Sequence, residues 1–378
     1  MDPRVLEAML PFYKEKFGNA ASIHHSFGHE AKKAIENSRK ILAVELNAKI
    51  REIVFTSGTT ESINLAIKGV CENETGKKNH IITQNTEHKA VLDTYDSMRK
   101  KGWEVTILPV GSDGCVNPDD VLSSIKGDTL LVTIMHANNE IGTIQPVKEI
   151  GEICRENSIY FLVDAAQSFG KLNIDVQEMN IDLLAASAHK IYGPKGIGLL
   201  YVNQKNPRIK LKSQIDGGGH ERGFRSGTLP VALIVGFGEA VKIAGENQKE
   251  ENRQLLKFRD KMINEITAVH SDTIVNGSRV NRLSNNINLC FPSIDAETII
   301  MKMKGVACST GSACSSANLE PSHVMKALGY SNELALSSVR FSIGRFNTED
   351  EIDSAITEIN KTVSLIKGNS PGHRLLNV

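Results

Sequence analysis

Residues 159–167 read Ile-Tyr-Phe-Leu-Val-Asp-Ala-Ala-Gln. The first five residues are a short apolar run, which ends at the carboxylate of Asp164. Similar runs, each bounded by Gly, Asn, Asp or Pro, occur at Ile53–Thr56, His80–Thr83, Val105–Val110, Leu130–Met135, Asp182–Ala186 and Ile197–Val202. Apolar strands that alternate with helical stretches are typical of a mostly parallel sheet covered on both faces. We therefore expect an α/β fold whose large domain contains a mostly parallel seven-stranded sheet.

The sequence changes character near residue 248. Gln248 to Lys261 is strongly charged, which predicts a long exposed helix leading away from the first domain. Beyond it we predict a strand, a helix, a second strand and a helix opened by a capping box, at Asn286–Phe291, Ala296–Met303, Ser338–Ile343 and Thr348–Glu351. The chain should thus form a large domain over residues 1–247 and a smaller C-terminal α+β domain over residues 248–378.

The composition of the 378 residues excludes several classes of protein. The 44 Lys and Arg balance the 44 Asp and Glu, which argues against direct binding of nucleic acid or anionic membranes. No apolar run approaches the roughly 18–20 residues that span a bilayer, and no signal segment opens the chain. We expect a cytoplasmic enzyme.

The cysteines are scattered and include no Cys-x-x-Cys pair; they are Cys71, Cys115, Cys154, Cys290, Cys308 and Cys314. This pattern argues against a disulfide scaffold and against a zinc cage, so we expect no resident metal. Most of these thiols should be small buried hydrophobic groups, and Cys314 is the expected exception.

A candidate phosphate site lies in residues 55–62, where an apolar strand runs through Ser-Gly-Thr-Thr into a predicted helix. Backbone N–H groups, hydroxyls and a helix N-terminus together suit an anion. An ordinary helix cap is the alternative, because Ser and Thr are preferred at that position. The absence of Gly-Lys-Ser/Thr excludes a nucleotide P-loop.

Asp164 and Lys190 follow two later strands, and ligands of such sheets bind beyond the carboxyl ends of the strands. Asp164 could bind a metal, cap a turn or pair with a protonated ring nitrogen, although no neighbouring His or acid has metal-ligand spacing. Lys190 could form a Schiff base if it is partly desolvated, or it could extend into solvent from a turn.

The three features are more specific together than separately. A phosphate cradle, a strand-end Asp and a strand-end Lys are the groups that pyridoxal 5′-phosphate requires. The cradle would anchor the phosphate, Lys190 would bind the aldehyde as an imine, and Asp164 would keep the pyridine nitrogen protonated. The large domain is therefore predicted to bind this cofactor.

Several longer motifs extend the pattern, namely Phe-Thr-Ser-Gly-x-Thr-Glu-Ser (55–62), Thr-Glu-His-Lys-Ala-Val (86–91), Asn-Asn-Glu-Ile-Gly (138–142), Val-Asp-Ala-Ala-Gln (163–167), Ser-Ala-His-Lys-Ile-Tyr-Gly-Pro-Lys-Gly (187–196), Gly-Gly-Gly-His-Glu-Arg-Gly (217–223), Arg-Ser-Gly-Thr-Leu-Pro (225–230) and Ser-Thr-Gly-Ser-Ala-Cys-Ser-Ser (309–316). Through these motifs nearly the whole chain resembles the cysteine desulfurases of the NifS/IscS type. They are a branch of the fold type I pyridoxal phosphate enzymes related to class V aminotransferases. Members usually have a further segment before the Asp-Pro-Arg-Val stretch, which here follows Met1 directly, and a longer C-terminal tail.

The resemblance implies roles for individual residues. The phosphate would lie among Thr59, Thr60, Ser187 and His189, with Thr228 reaching it from the neighbouring subunit of a homodimer. His88 would stack on the ring and help to move protons, or else be a satisfied structural His. Asn139 would contact the ring hydroxyl or the bound amino acid, and Gln167 would hydrogen-bond the same hydroxyl. Arg340 would clamp the substrate carboxylate, with a surface ion pair as the alternative.

The resemblance also gives Cys314 a role. As a thiolate it would attack the sulfur of the substrate L-cysteine and become a persulfide while L-alanine is released. The sulfur would pass to an iron–sulfur scaffold protein or another acceptor, including one for tRNA thiolation, and Cys314 could transiently ligate a cluster. Cys308 is expected to be a buried core thiol, with a resolving thiol or a second cluster ligand as the alternative.

Two other functions remain open on the sequence alone. One is a different pyridoxal phosphate activity on small amino acids, such as an aminotransferase or a selenocysteine lyase. Neither activity needs the thiol at Cys314. The other is a degenerate, non-catalytic scaffold or delivery partner, against which the intact Lys190, Asp164 and His88 argue.

Overall fold

Seven strands form one sheet in the first part of the chain: β1 (Ile53–Thr56), β2 (His80–Gln84), β3 (Glu104–Leu108), β4 (Thr129–Met135), β5 (Tyr160–Asp164), β6 (Leu183–Ser187) and β7 (Gly198–Val202). Their order across the sheet is β1-β7-β6-β5-β4-β2-β3. The strands from β6 to β3 are parallel, whereas β7 runs antiparallel to both β6 and β1. The predicted α/β fold with a mostly parallel seven-stranded sheet is confirmed.

The structure, a computed structural model, describes residues 1–74, 76–204, 209–311 and 320–369. The chain divides into two units. Unit 1 comprises Met1–Leu108, Asn117–Ala137 and Gln145–Gln248. Unit 2 comprises Pro109–Val116, Asn138–Ile144 and the chain from Lys249 onward. Two short segments that precede residue 248 therefore group with the C-terminal part of the chain.

The helices are α1 (Pro3–Lys14), α2 (Ser26–Glu45), α3 (Thr59–Asn73), α4 (Lys89–Lys100), α5 (Pro118–Ser124), α6 (Val147–Glu156), α7 (Val231–Val269), α8 (Ala296–Lys302), α9 (His323–Ala327), α10 (Asn332–Leu336) and α11 (Glu349–Asn369). The helix predicted over residues 248–261 is the middle of α7, which begins at Val231. The prediction missed the first turns because they are apolar and buried, as at Ile234 and Phe237, whereas it relied on charge. The stretch predicted to be an exposed helix is exposed on one side only, since Leu255 and Phe258 are buried. No helix in the described ranges is long and apolar enough to cross a membrane.

The core of unit 1 lies against the sheet. All seven residues of β4 are buried, which explains why its sequence shows no regular alternation of polar and apolar residues. Val54, Leu131 and Leu162 from three strands pack with Ile63 and Tyr95 from α3 and α4 in one hydrophobic cluster. The sheet and these helices thus form the rigid base that presents the strand ends.

A buried ion pair links α2, β1 and the Gly-rich segment that follows residue 215. The Arg39 guanidinium contacts the Glu221 carboxylate through Nη1–Oε2 at 2.7 Å and Nη2–Oε1 at 2.8 Å. Glu221 also accepts the backbone N–H of Phe55 at 2.8 Å, and Arg39 donates to the carbonyl of Ile53 at 2.9 Å. The pair therefore holds β1 in place on the side opposite its strand partner.

Unit 2 contains a smaller sheet of β8 (Ile274–Val275), β9 (Asn286–Cys290), β10 (Ser309–Thr310) and β11 (Ser338–Ser342). The strand order is β10-β11-β9-β8, and all pairs are antiparallel. Apolar residues of this sheet pack with α8, α11 and the second half of α7 around Phe291 and Ile359. The predicted capping box opens α11: Thr348 and Glu351 exchange side chain-to-backbone hydrogen bonds of 3.1 and 3.3 Å.

Candidate active site

Asp164 is the last residue of β5, and it lies at the carboxyl end of the parallel strands as the sequence predicts. Its side chain is buried, and Oδ1 accepts the backbone N–H of Ala166 at 2.9 Å. Burial raises the pKa of this carboxyl, while that hydrogen bond and the charges of His88 and Lys190 act in the opposite direction. Within the described ranges, Ala166 supplies the only hydrogen bond to this carboxylate, so Asp164 caps a turn and keeps acceptor capacity for a ligand.

A second buried carboxyl, which was not predicted from the sequence, contacts the end of β4, the strand next to β5. Glu87 is fully buried, and its Oε1 accepts the backbone N–H of Met135 at 2.6 Å and the Gln84 side chain at 3.0 Å. Burial, and next the charge of Asp164, raise the pKa of Glu87 to about 8. Glu87 is therefore mostly neutral at pH 7.

The turn that is predicted to bind phosphate joins β1 to α3 and contacts the end of β6. Ser187 Oγ accepts the backbone N–H of Thr59 and lies equally close to Thr59 Oγ1, both at 2.7 Å. The N-cap residue of α3 is Gly58, which has no side chain to cap the helix. An ordinary cap by a Ser or Thr at the N-cap position is therefore absent, and Ser187 at the end of β6 accepts the first N–H of α3 instead.

Glycine is required where this turn passes β7. A Cβ on Gly198 would come within 2.6 Å of the Gly58 Cα and of the Ala186 carbonyl oxygen. Any larger residue at 198 would push the turn away from the sheet, so the pair of glycines sets the depth of the cradle.

Lys190 lies on the 3₁₀ turn Ala188–Ile191 that directly follows β6. The turn ends at Tyr192, which has φ = 65°, a left-handed conformation that is uncommon for a residue other than glycine. Behind it, a Cβ on Gly193 would lie 2.8 Å from the Ala188 Cβ. The sharp turn directs the chain so that Lys190 and Asp164 are near enough for the Lys190 charge to act on the pKa of Asp164.

His88 is the N-cap residue of α4, and its Nδ1 accepts the backbone N–H of Ala90 at 3.0 Å. Because Nδ1 is an acceptor, the neutral ring carries its proton on Nε2. The side chain is exposed, and it too is close enough to influence the pKa of Asp164. His88 is thus fixed at one nitrogen and open at the other.

Four further residues that are predicted to bind the cofactor belong to unit 1. Gln167 is half-buried, while Thr60, His189 and Thr228 are exposed. Partial desolvation of the ring, followed by the charges of Lys190 and Lys195, lowers the pKa of His189.

Asn139 and Arg340 belong to unit 2, where they contact each other. The Arg340 guanidinium donates to the backbone carbonyl of Asn139 and to Ser309 Oγ, both at 2.9 Å. No carboxylate in the described part of the chain pairs with Arg340, so the alternative of a surface ion pair is wrong there. The held guanidinium keeps its charge available for a ligand carboxylate.

Cys314 lies outside the described residues. Cys308 is half-buried beside the core of unit 2, with its Sγ 3.9 Å from the Met303 Sδ, and burial raises the pKa of its thiol. These surroundings favour the core-thiol interpretation of Cys308. The described residues contain no cluster of His, Cys, Asp and Glu that could hold a metal ion.

The residues of unit 1 fit pyridoxal phosphate. The test is the donor set: an anion cradle at Thr59 and Ser187, a buried carboxylate with spare acceptor capacity at Asp164, and an amine at Lys190. Each matches one functional group of the cofactor, namely the phosphate, the pyridine nitrogen and the aldehyde.

A protein family and several enzymes are similar to this chain along nearly its whole length. The family description of the class-V aminotransferases matches residues 1–354. The cysteine desulfurase IscS of Vibrio cholerae (strain ATCC 39541) is 52% identical over 375 residues, which cover 98% of this chain and 92% of the relative. That of Dechloromonas aromatica is 50% identical over 372 residues, with 98% and 91% covered.

Two solved structures are also similar to this chain along nearly its whole length. A NifS-like protein superposes with a TM-score of 0.89 at 36% identity and covers 97% of this chain and 96% of its own. SspA, solved in complex with cysteine, superposes with a TM-score of 0.80 at 40% identity, with 92% and 97% covered.

Proposed function

The chain belongs to the class-V aminotransferase family, and within it to the cysteine desulfurases of the IscS type, and we propose that it converts L-cysteine to L-alanine while the sulfur passes to Cys314. The enzyme depends on pyridoxal phosphate. The observation that carries the proposed site is the buried Asp164 carboxylate, whose surroundings in unit 1 include both Lys190 and His88.

The cofactor would be held by unit 1. Thr59, Thr60, Ser187 and His189 would surround its phosphate, and Lys190 would hold its aldehyde carbon. Asp164 would face the ring nitrogen, with His88 on the ring face and Gln167 at the ring hydroxyl. When bound, pyridoxal phosphate supplies an electron sink that stabilises negative charge at the α-carbon of an amino acid.

The side chains of unit 1 would carry the proton transfers. Asp164 would accept a hydrogen bond from the protonated ring nitrogen, and Glu87, its buried neighbour, would stay mostly protonated at pH 7. Lys190 Nζ and His88 Nε2 are the groups that would take a proton from the α-carbon of the substrate and return one to the carbon that loses sulfur. Arg340, fixed by Asn139 and Ser309, would orient the substrate carboxylate.

Cys314 would act as the nucleophile. Its thiolate attacks the substrate sulfur, an S–S bond forms and the substrate C–S bond breaks, with the electron pair remaining on the carbon side. That carbon takes up a proton, and the product leaves as L-alanine. The sulfur stays on Cys314 as a persulfide, from which an iron–sulfur scaffold protein or another acceptor in the cytoplasm would remove it.

A homodimer is also part of the proposal. Unit 1 exposes large apolar side chains near its N-terminus, including Tyr13 (58% exposed), Phe17 (72%) and Phe27 (54%). Phe17 and Phe27 stack with their ring centroids 6.3 Å apart, and contiguous exposed apolar patches are typical of protein–protein interfaces. Thr228, which is exposed in the single chain, would then reach the phosphate of the neighbouring subunit.

Incubation of the purified holoenzyme with L-cysteine tests the function. We expect stoichiometric alanine and sulfide in the presence of a reducing thiol, neither product with Lys190→Ala, and no protein-bound persulfide with Cys314→Ser. Cys115→Ser is the matched control, because burial raises the pKa of that thiol to about 12. If Cys314→Ser formed sulfide at the wild-type rate, the assignment of Cys314 would be wrong. Conversion of L-cysteine to its 2-oxo acid, with transfer of the amino group to an added 2-oxo acid and no release of sulfide, would instead indicate an aminotransferase, and a protein that forms none of these products would be a non-catalytic partner.

A further inference from the structure

The carboxylate of Glu140 lies between the two ends of the segment that carries Cys314. Glu140 is only 4% exposed, and its Oε2 lies 2.5 Å from Ser322 Oγ, just after that segment. On the other side, a Cβ on Gly311 would come within 2.0 Å of the same Oε2 atom, so a larger residue there would displace the carboxylate. One buried oxygen thus contacts both flanks of residues 312–321.

The backbone of Glu140 is itself fixed by unit 2. Its N–H donates to Asn138 Oδ1 at 2.8 Å. Its carbonyl accepts the side-chain amides of Asn286 and Asn288, both on β9, at 3.1 and 3.0 Å. The carboxylate therefore projects from a rigid base rather than from a free loop.

Both flanks are tied to regular elements. Ser309 and Thr310 form β10, which pairs with Arg340 and Val339 of β11. Ser322 caps α9, since its Oγ accepts the backbone N–H of Val324 at 3.1 Å. With its lone pairs used in this way, the Ser322 hydroxyl donates its proton to Glu140. The bond from a hydroxyl to a buried carboxylate is of the strong, charge-assisted type.

We propose that Glu140 is a positioning residue that fixes the separation of Gly311 and Ser322, and thereby the efficiency with which Cys314 meets the substrate sulfur. The inference rests on the proposed function of Cys314. A nucleophile reacts faster with a bound substrate when the residues that flank it are held in one geometry. Loss of the fixed ends should slow the transfer of sulfur without weakening the binding of L-cysteine.

The test compares Glu140→Ala, which removes the carboxylate, with Glu140→Gln, which keeps an oxygen for the Ser322 hydroxyl. Glu333→Ala is the control, because Glu333 is an exposed glutamate of the same unit. With the holoenzyme, quenched single-turnover mass spectrometry measures the persulfide on Cys314. We expect formation to be about tenfold slower in Glu140→Ala and within about threefold of wild type in Glu140→Gln, with an unchanged Kd for L-cysteine. Equal rates in Glu140→Ala and wild type would overturn the proposal.

A second measurement does not depend on turnover. Hydrogen–deuterium exchange of peptides that contain residues 309–311 and 322–325 should be faster in Glu140→Ala than in wild type, in protein with and without cofactor. Unchanged exchange at both ends would also overturn the proposal. If the wild type formed no persulfide on Cys314, the proposed function would fail, while the exchange result would still decide whether Glu140 holds the two ends.

The contact with Gly311 provides a double-mutant test. Gly311→Ala should slow persulfide formation because its methyl group displaces the Glu140 carboxylate. In Gly311→Ala/Glu140→Ala the methyl group has room, so the double variant should be no slower than Glu140→Ala alone. Fully additive effects would contradict the contact. If Glu140→Ala does not fold, Ser322→Ala breaks the same contact from the other side and must show the same slower transfer.

Discussion

Glu87 accepts a 2.6 Å hydrogen bond from the backbone N–H of Met135, the residue that lies opposite Asp164 in the register of β4 and β5. Two buried carboxyls therefore lie at this edge of the sheet, Asp164 at the end of β5 and Glu87 against the end of β4, with the hydroxyl of Tyr95 in the same buried region. Only one of the two carboxyls can readily carry a charge in such surroundings. This arrangement predicts a pH dependence of stability.

Glu87→Gln should remove that dependence. The folded protein keeps the Glu87 proton up to about pH 8, whereas the unfolded chain releases it near pH 4.5. Between these values the folded state binds more protons, so the free energy of unfolding falls as pH rises, by at most about 1.4 kcal/mol per pH unit. The wild type should therefore lose stability relative to Glu87→Gln from pH 5 to pH 8.

Guanidinium unfolding of the cofactor-free protein, followed by fluorescence of Trp103, measures this difference. Trp103 is the single tryptophan and packs against the core of unit 1. Glu156→Gln, at an exposed site on α6, is the control and should parallel the wild type. Parallel curves for Glu87→Gln and wild type would show that Glu87 is ionised at neutral pH.

The strands and Asp164 could be predicted from the sequence for a physical reason. Strands buried on both faces need continuous apolar runs, and all seven predicted runs are strands that differ from the prediction by at most two residues at either end. Asp164 interrupts such a run at its carboxyl end, where a buried charge requires a role. The local sequence was therefore sufficient to predict the strands and the position of Asp164.

The roles of Glu87 and Glu140 could not be predicted in this way. Each lies inside a recognised motif, but its function depends on contacts with residues far along the chain, Met135 for Glu87 and Ser322 for Glu140. The pairing of β1 with β7 is another such contact, because these strands are separated by most of unit 1. A buried acid directly beside a functional His or Asn is a signal that could have identified both residues.

Ser187→Ala should weaken the binding of pyridoxal phosphate. The substitution removes the hydroxyl that holds both the N–H and the hydroxyl of Thr59 at 2.7 Å. The hydroxyl would also donate to the phosphate, and because a hydrogen bond to a charged group contributes about 1.5–3 kcal/mol, the Kd for the cofactor should rise at least about tenfold. Absorbance titration of the cofactor-free protein measures it, with Ser123→Ala on α5 as the control. An unchanged Kd would place the phosphate elsewhere.

Cys308 should behave as a core thiol rather than as a redox partner. Burial raises its pKa, and its sulfur packs against Met303. Under native conditions iodoacetamide should modify Cys308 at least about tenfold more slowly than a free thiol, because little thiolate is present. Mass spectrometry after mild oxidation should find no Cys308–Cys314 disulfide, and Cys308→Ser should keep the wild-type rate of sulfide release. A disulfide between the two would establish the resolving-thiol role instead.

The ion pair between Arg39 and Glu221 should be a major determinant of the stability of unit 1. The two side chains are 3% and 1% exposed, so Arg39→Leu leaves a buried carboxylate whose remaining hydrogen bond comes from Phe55. Breaking a buried pair from one side typically costs about 3–5 kcal/mol, and we expect that loss in unfolding followed by Trp103 fluorescence. Arg39→Leu/Glu221→Leu should recover part of it, because no unpaired charge remains. Arg4→Leu is the control, since its guanidinium is half-exposed in its pair with Asp2. A loss of less than about 1 kcal/mol in Arg39→Leu would mean that water or a shift in protonation compensates the Glu221 charge.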